Sequence, residues 1–259
     1  MKKLILIPII VLLFAVEALA IGPATLMMFG GDCIPDCSGL TDCQNFEGTG
    51  YDNSEAWTTT TAGSGAIDED AATPGAGSPS KWCFQALKST TTAAAETAYI
   101  HNDADLGDAA ISYFRIDFVL ASHSLANTEE NSIFHVANNA WDHLIRANIY
   151  NNGGTLELRI SSYHDDLLNS YTALTAISLN TRYRLEIKWD TTNNLWAWRL
   201  NDVDQPNNTD GTDPVESEGA LASNRGSDEV SIGQTVAANA AVLYFDRYGV
   251  HPTAWIGNQ

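Results

Sequence analysis

The sequence predicts an all-β chain folded as a two-sheet antiparallel sandwich, on three observations. After residue 80, apolar and polar side chains alternate in short runs with a period of two, the spacing that puts successive side chains on opposite faces of a strand. The runs are separated by turn-forming clusters, among them N-N-G-G at 151–154 and D-T-T-N-N at 190–194, which are hairpin-grade connections. No stretch has a convincing helical period. The Ala-rich segment 90–98 comes nearest, and Thr90, Thr91 and Thr92 argue against it.

Taken from the N-terminus, residues 1–20 read as a cleaved secretory signal: Lys2 and Lys3, an apolar run over 4–16, and Ala18-Leu19-Ala20 as the small-residue cleavage site. The alternative is an uncleaved membrane anchor over 4–21, but Pro8 and the A-x-A ending favour the signal. No Cys follows the cleavage site, so a lipid-anchored form is not expected. Residues 21–43 form a short Cys-bearing head. Cys33, Cys37 and Cys43 lie in it or at its end, Cys83 stands forty residues later, and an even count in an exported chain favours two disulfides whose connectivity sequence cannot separate. Zinc would want tighter Cys/His spacing than the x3 and x5 found here.

The region 45–79 is broken by Gly48, Gly50, Gly63, Gly65, Gly75, Gly77, Pro74 and Pro79 and reads as loops around one or two short strands. Strands are then expected at 82–88, 96–101, 111–120, 132–137, 144–150, 155–161, 171–178, 182–189, 195–201, 229–235 and 241–251. Alternation assigns their faces. Phe114, Ile116, Phe118 and Leu120 oppose Tyr113, Arg115 and Asp117; Ile145, Ala147 and Ile149 oppose Arg146, Asn148 and Tyr150; Tyr183, Leu185, Ile187 and Trp189 oppose Arg184, Glu186 and Lys188. Such strands bury one face and turn the other to solvent or a ligand.

Charge narrows the function. The 259 residues hold 13 Lys+Arg against 32 Asp+Glu, a formal net charge of -19, and removal of the signal leaves about -20. An electrostatic nucleic-acid binder needs the opposite sign, so nucleic acid is excluded as a partner. At 44% hydrophobic and 17% charged residues the chain can build a sizeable core, and no membrane span is expected after signal cleavage.

Four segments carry a family likeness: F-E-G-T-G-Y-D at 46–52, N-T-R-Y entering R-L-E-I-K-W-D at 180–190, L-W-A-W-R-L-N at 195–201, and Y-F-D-R-Y-G-V at 244–250. In this order the chain resembles laminin-G-like, concanavalin A-like jelly-roll modules, in a variant associated with bacterial exported and phage proteins. The resemblance implies a jelly roll over 44–259, often used to bind glycans or proteins outside cells. It also implies that Asp246 matches a final-strand Asp near a cation in some of those modules.

Catalytic motifs are sparse. The paired-carboxylate pattern E-x-D-x-x-E of jelly-roll glycosidases is absent, and so are G-x-S-x-G, H-E-x-x-H and phosphate loops. Alginate-lyase-like chemistry would use Arg, Asn, His and Tyr on one sheet face, and Tyr113, Arg115, His135, Arg146, Asn148 and Tyr150 are expected to share one, although the lyase R-S/T-E-L-R and Q-I/V-H motifs are missing. Read without catalysis, that face with Asp117 is a ligand-binding surface, and Trp57 and Trp141 in polar loop sequence are candidate exposed sugar-stacking aromatics. Trp196 and Trp198 alternate with Leu200 and are expected in the core.

Calcium is the cofactor the sequence best suits. Asp202, Asp204, Asp210, Asp213 and Asp246 are expected to gather at a rim, where a hard cation would relieve their repulsion. The function expected is a secreted or cell-surface recognition or adhesion module for a polysaccharide or surface glycan. The competing class is structural: Leu26-Met27-Met28-Phe29, apolar and just past the cleavage site, would serve self-assembly of a surface layer, filament or particle.

Overall fold

Alternation of apolar and polar side chains underlies the strands of the computed structural model, which number sixteen among the residues it describes, 40–44, 46, 57–72, 85–102, 106, 109–138, 143–163, 169–171, 174–193, 195–205 and 226–257. They are β1 (Asp42–Gln44), β2 (Trp57–Ala62), β3 (Ala66–Ala72), β4 (Gln85–Thr91), β5 (Glu96–Asn102), β6 (Ile111–His123), β7 (Glu130–Ala137) and β8 (His143–Asn152). They continue as β9 (Thr155–Tyr163), β10 (Asn169–Tyr171), β11 (Thr175–Ala176), β12 (Arg182–Asp190), β13 (Leu195–Leu200), β14 (Val203–Gln205), β15 (Glu229–Ala238) and β16 (Ala241–His251). Among the described residues there is no helix, and none therefore long and apolar enough to cross a membrane.

Sheet I runs β14-β13-β12-β6-β16-β4-β3 with β1 added to β16, and sheet II runs β10-β9-β8-β7-β15-β5-β2 with β11 added to β9, every pair antiparallel. The chain divides into the units Met1–Ile34 and Pro35–Gln259, and all described residues belong to the second. The expected signal, the assembly segment 26–29, and Cys33 and Cys37 lie outside the described residues. Cys43 does not: with Asp42 it belongs to β1, paired through Cys43↔Gly249 with β16, so the sandwich begins before the expected boundary at 44.

Hairpins form where the turn chemistry puts them. Gly153 and Gly154 both adopt positive φ, +61° and +95°, and close β8 onto β9 between Asn152 and Thr155. Asp190 accepts the Asn193 amide at 2.9 Å and fixes the turn from β12 into β13. The core fills from both inner faces: Phe114, Ile116, Phe118 and Leu120 of β6 and Leu185, Ile187 and Trp189 of β12 meet Phe134, Ile145, Ile149, Leu158 and Ile232. The Phe114 and Phe134 rings cross the interface edge to face with centroids 6.1 Å apart. Trp196 and Trp198 are buried core, as their shared face with Leu200 predicts.

Glu96 ties the two sheets together at one end. The corners β2–β3 and β4–β5 are places where the chain passes from one sheet to the other. The Glu96 carboxylate accepts amide hydrogens from Thr92 at 2.6 Å and Ala93 at 3.1 Å in one corner and from Ser64 at 2.9 Å in the other. The Thr92 amide, then that of Ser64, hold its pKa at about 2 against an ordinary 4.5, with burial opposing. A depressed folded-state value stabilises the fold above the unfolded pKa, and that contribution disappears as pH falls from about 4.5 towards about 2. Glu96→Gln should therefore lower the melting temperature by several degrees at pH 7, with the gap to wild type closing between pH 5 and pH 2 in parallel thermal melts.

Candidate functional site on the outer face of sheet II

The two outer faces of the sandwich are chemically different, and the residues expected to share one face are divided between them. Tyr113, Arg115 and Asp117 stand on β6 in sheet I, whereas His135, Arg146, Asn148 and Tyr150 stand on β7 and β8 in sheet II. Alternation orders the faces of each strand but not the sheet to which a strand belongs, and β6 pairs with β12 and β16 while β7 pairs with β8 and β15.

The outer face of sheet I is a closed ionic layer. Asp117, with no exposed surface, receives Arg182, Arg115 at 3.4 Å and Arg184 at 3.5 Å. Burial lowers the pKa of the Arg115 guanidinium; Asp117 opposes this, and Arg184 and Arg247 add to it. The segment 252–257 lies across this layer. Arg115 donates to the Gly257 carbonyl at 2.6 Å, and the Gly257 amide donates to Glu186 at 2.8 Å. Trp255 packs edge-on against Tyr113 at 5.2 Å under the Arg199 guanidinium at 4.3 Å. Tyr113, Arg115 and Asp117 are thus occupied by the chain itself.

Of the five aspartates assigned to a cation, the three that are described, Asp202, Asp204 and Asp246, do not gather. Asp202 pairs with Arg184 at 2.9 Å and Asp204 with Arg199 at 2.5 Å. Asp246 is buried on β16 opposite Asp117, and three strands, β13, β12 and β6, lie between β14, which carries Asp204, and β16, a separation of about 19 Å at ordinary strand spacing. Asp210 and Asp213 lie outside the described residues, and among the described residues no group of three or more His, Cys, Asp or Glu could hold a metal ion. Trp57, expected as an exposed loop aromatic, is instead the first residue of β2, buried and edge-on to Tyr248 at 5.3 Å. Trp141 and Cys83 lie outside the described residues.

Sheet II presents a different surface. Its register lines up, strand by strand, Thr58, His101, Ser231, His135, Arg146 and Ser161 in one row across β2, β5, β15, β7, β8 and β9. A second row sets Thr60, Tyr99 and Gly233 beside one another, with Asn148 and Arg159 paired further along the sheet. Small polar residues make the floor: Ser231, Ser132, Ser161 and Asn148 are each at most 3% exposed because larger neighbours flank them. Tyr99, His101, Arg146, Tyr150 and Arg159 are half-buried and form the walls. Gly233 leaves the floor without a side chain beside Tyr99.

Local contacts fix these walls. Arg159 donates to Glu130 at 2.9 Å and lies over the Tyr150 ring at 4.6 Å. Tyr99 and His101 rings are 5.8 Å apart, and Thr60 Oγ1 is 3.4 Å from His101 Nδ1. His135 Nε2 contacts His143 Nδ1. Burial, then the neighbouring His143 and Arg146, push the pKa of His135 well below its ordinary value of 6.5, so its imidazole is neutral at physiological pH. The sequence reading found His135, Arg146, Asn148 and Tyr150 but missed Tyr99, His101, His143, Arg159 and Ser231, which only cross-strand register joins to them. The one usable signal was Gly233, since a glycine inside a strand marks a close backbone approach.

No family model matches this chain, and no curated protein matches it. Among solved structures it is similar to the endo-β-1,4-glucuronan lyase of the fungus Trichoderma reesei, at TM-score 0.54 and 14% identity over 83% of this chain and 96% of that one. It is similar to the cellulose induced protein Cip1, at TM-score 0.53 and 12% identity over 82% and 97%. It is also similar to the botulinum neurotoxin serotype D binding domain, at TM-score 0.52 and 7% identity over 85% of this chain and 49% of that one. At these identities the likeness establishes the fold, a two-sheet jelly-roll sandwich.

Proposed function

We propose that this protein is a carbohydrate-recognition module and that a polysaccharide or surface glycan lies across the outer face of sheet II. The observation that carries the reading is the register that aligns hydrogen-bonding side chains of His101, Ser231, His135, Arg146 and Ser161 over five adjacent strands. The row is about 19 Å long, enough for a few linked sugar rings. Its serines and amides suit hydroxyl groups, and the half-buried Tyr99 and Tyr150 offer ring faces to sugars. Affinity gels against neutral and uronate-bearing polysaccharides test it. Retention of at least one polymer is expected, and Tyr99→Ala or Arg146→Ala should weaken it about tenfold, the worth of one good polar or stacking contact. Tyr113→Ala, on the covered face of sheet I, should leave it unchanged. Flat migration in every polymer would count against the reading.

A second reading, β-elimination on a uronate polymer, is favoured by the neutral His135 beside the Arg146 cation, a base next to a carboxylate-neutralising group. Growth of ultraviolet absorbance from an unsaturated product would select it over simple binding.

Membership in the laminin-G-like group, export to the cell surface or medium and binding of a calcium ion belong to the same proposal, whereas N-terminal self-assembly is the competing structural reading. Two disulfides among Cys33, Cys37, Cys43 and Cys83 belong to the proposal as well, and the burial of Cys43 in β1 supports them.

A further inference from the structure

We propose that His135 and His143 form a two-imidazole binding site for a late first-row divalent cation, copper(II) or zinc. His135 stands on β7 and His143 opens β8, with a register irregularity between Val136 and Ala137 in the pairing of these two strands. Their rings are 4.3 Å apart at the centroids, inclined by 55°, and Nε2 of His135 faces Nδ1 of His143. The arrangement aims one ring nitrogen of each imidazole at the same point, so a cation placed between them is held by both lone pairs once each ring carries its N–H on its other nitrogen. Metal–nitrogen bonds of about 2.0–2.1 Å set the two nitrogens roughly 3 Å apart. His143 is exposed and is the first residue of its strand, so its ring can make that adjustment while His135, 5% exposed, stays fixed.

Among the described residues, the charged groups that register brings near the pair are Arg146, which neighbours His135 in the row and opposes a cation, and Glu229, which is in register with Ala137, itself in register with His143. The small side chain of Ala137 leaves the carboxylate and the exposed imidazole on one line across three strands. Imidazole nitrogen is a borderline ligand that selects copper and zinc over calcium and magnesium, with copper tightest. Water or ligand oxygens complete the coordination. The site lies beside Arg146 in the row described above, but its existence does not depend on a glycan being bound.

Chelator-treated protein titrated calorimetrically with copper(II), zinc and calcium chlorides tests this, with electron paramagnetic resonance of the copper form. One equivalent of copper should bind with a two-nitrogen spectrum, zinc should bind more weakly, and calcium should give no heat at this site. His143→Ala, at an exposed position where the fold is expected to survive and circular dichroism can check it, should lose affinity by tenfold or more. His123→Ala, on β6 of sheet I, should leave it unchanged. Copper binding that survives in His143→Ala, or no copper binding by the wild-type protein, would overturn the proposal.

Discussion

Asp117→Ala should destabilise the protein by about 3–5 kcal/mol, the cost of removing one partner from a buried ionic cluster. In a chain of this size that is a fall of roughly ten degrees in melting temperature. The carboxylate has no exposed surface and receives the guanidinium groups of Arg182, Arg115 and Arg184. Without it, three cations remain stacked on β6 and β12 with Arg247 nearby, and burial already disfavours the charge on Arg115. Asp117→Asn keeps the shape and part of the hydrogen bonding but not the charge, so it should recover only a fraction of the loss. Urea melts of the two variants beside wild type measure both numbers. A loss below about 1 kcal/mol would mean that solvent reaches these arginines and that the layer under residues 252–257 is wet.

Gly233→Ala, the addition of one methyl group, should cost about 2–4 kcal/mol. At φ +117° an L side chain is strained whatever the space, and here the added Cβ would lie 2.5 Å from the Ala98 carbonyl oxygen and 2.8 Å from Tyr99 Cα, both backbone atoms of β5. Gly154→Ala is the control. Its φ is +95°, but nothing lies within 4 Å of an added Cβ, so it carries the conformational strain without the collision. The difference between the two variants in equilibrium unfolding isolates the close approach of β15 and β5, the pair that seats Ser231 beside His101 and Gly233 beside Tyr99.

Much of this fold is written locally and is legible for that reason. The alternation in 182–190 gives the buried face of β12, the shared face of Trp196, Trp198 and Leu200 gives the core side of β13, and N-N-G-G gives the two-residue hairpin between β8 and β9. Strands β1 and β14 are three residues each, too short for a period-2 pattern to show. The site was legible only in part because it is a property of neighbouring strands. His135 and Arg146 meet because β7 and β8 are consecutive, whereas His101 and Ser231 come from strands about 130 residues apart, joined by pairing that no local pattern encodes. The same blindness placed Tyr113 and Arg115 with the wrong sheet. Acidic composition suggested calcium for Asp202 and Asp204, yet the chain has arginines as well as aspartates in β12 and β13, and Arg184 and Arg199 neutralise the two carboxylates directly.

The measurement that bears most directly on the account is chemical-shift mapping of the isotope-labelled protein titrated with neutral and uronate-bearing oligosaccharides. Saturable shifts are expected at amides of 99–101, 132–135, 146–150 and 229–234, the strands that carry the aligned polar rows of sheet II. Shifts confined to Tyr113, Arg199 and residues 252–257, or no saturable shift with any oligosaccharide, would contradict a glycan-binding face on sheet II.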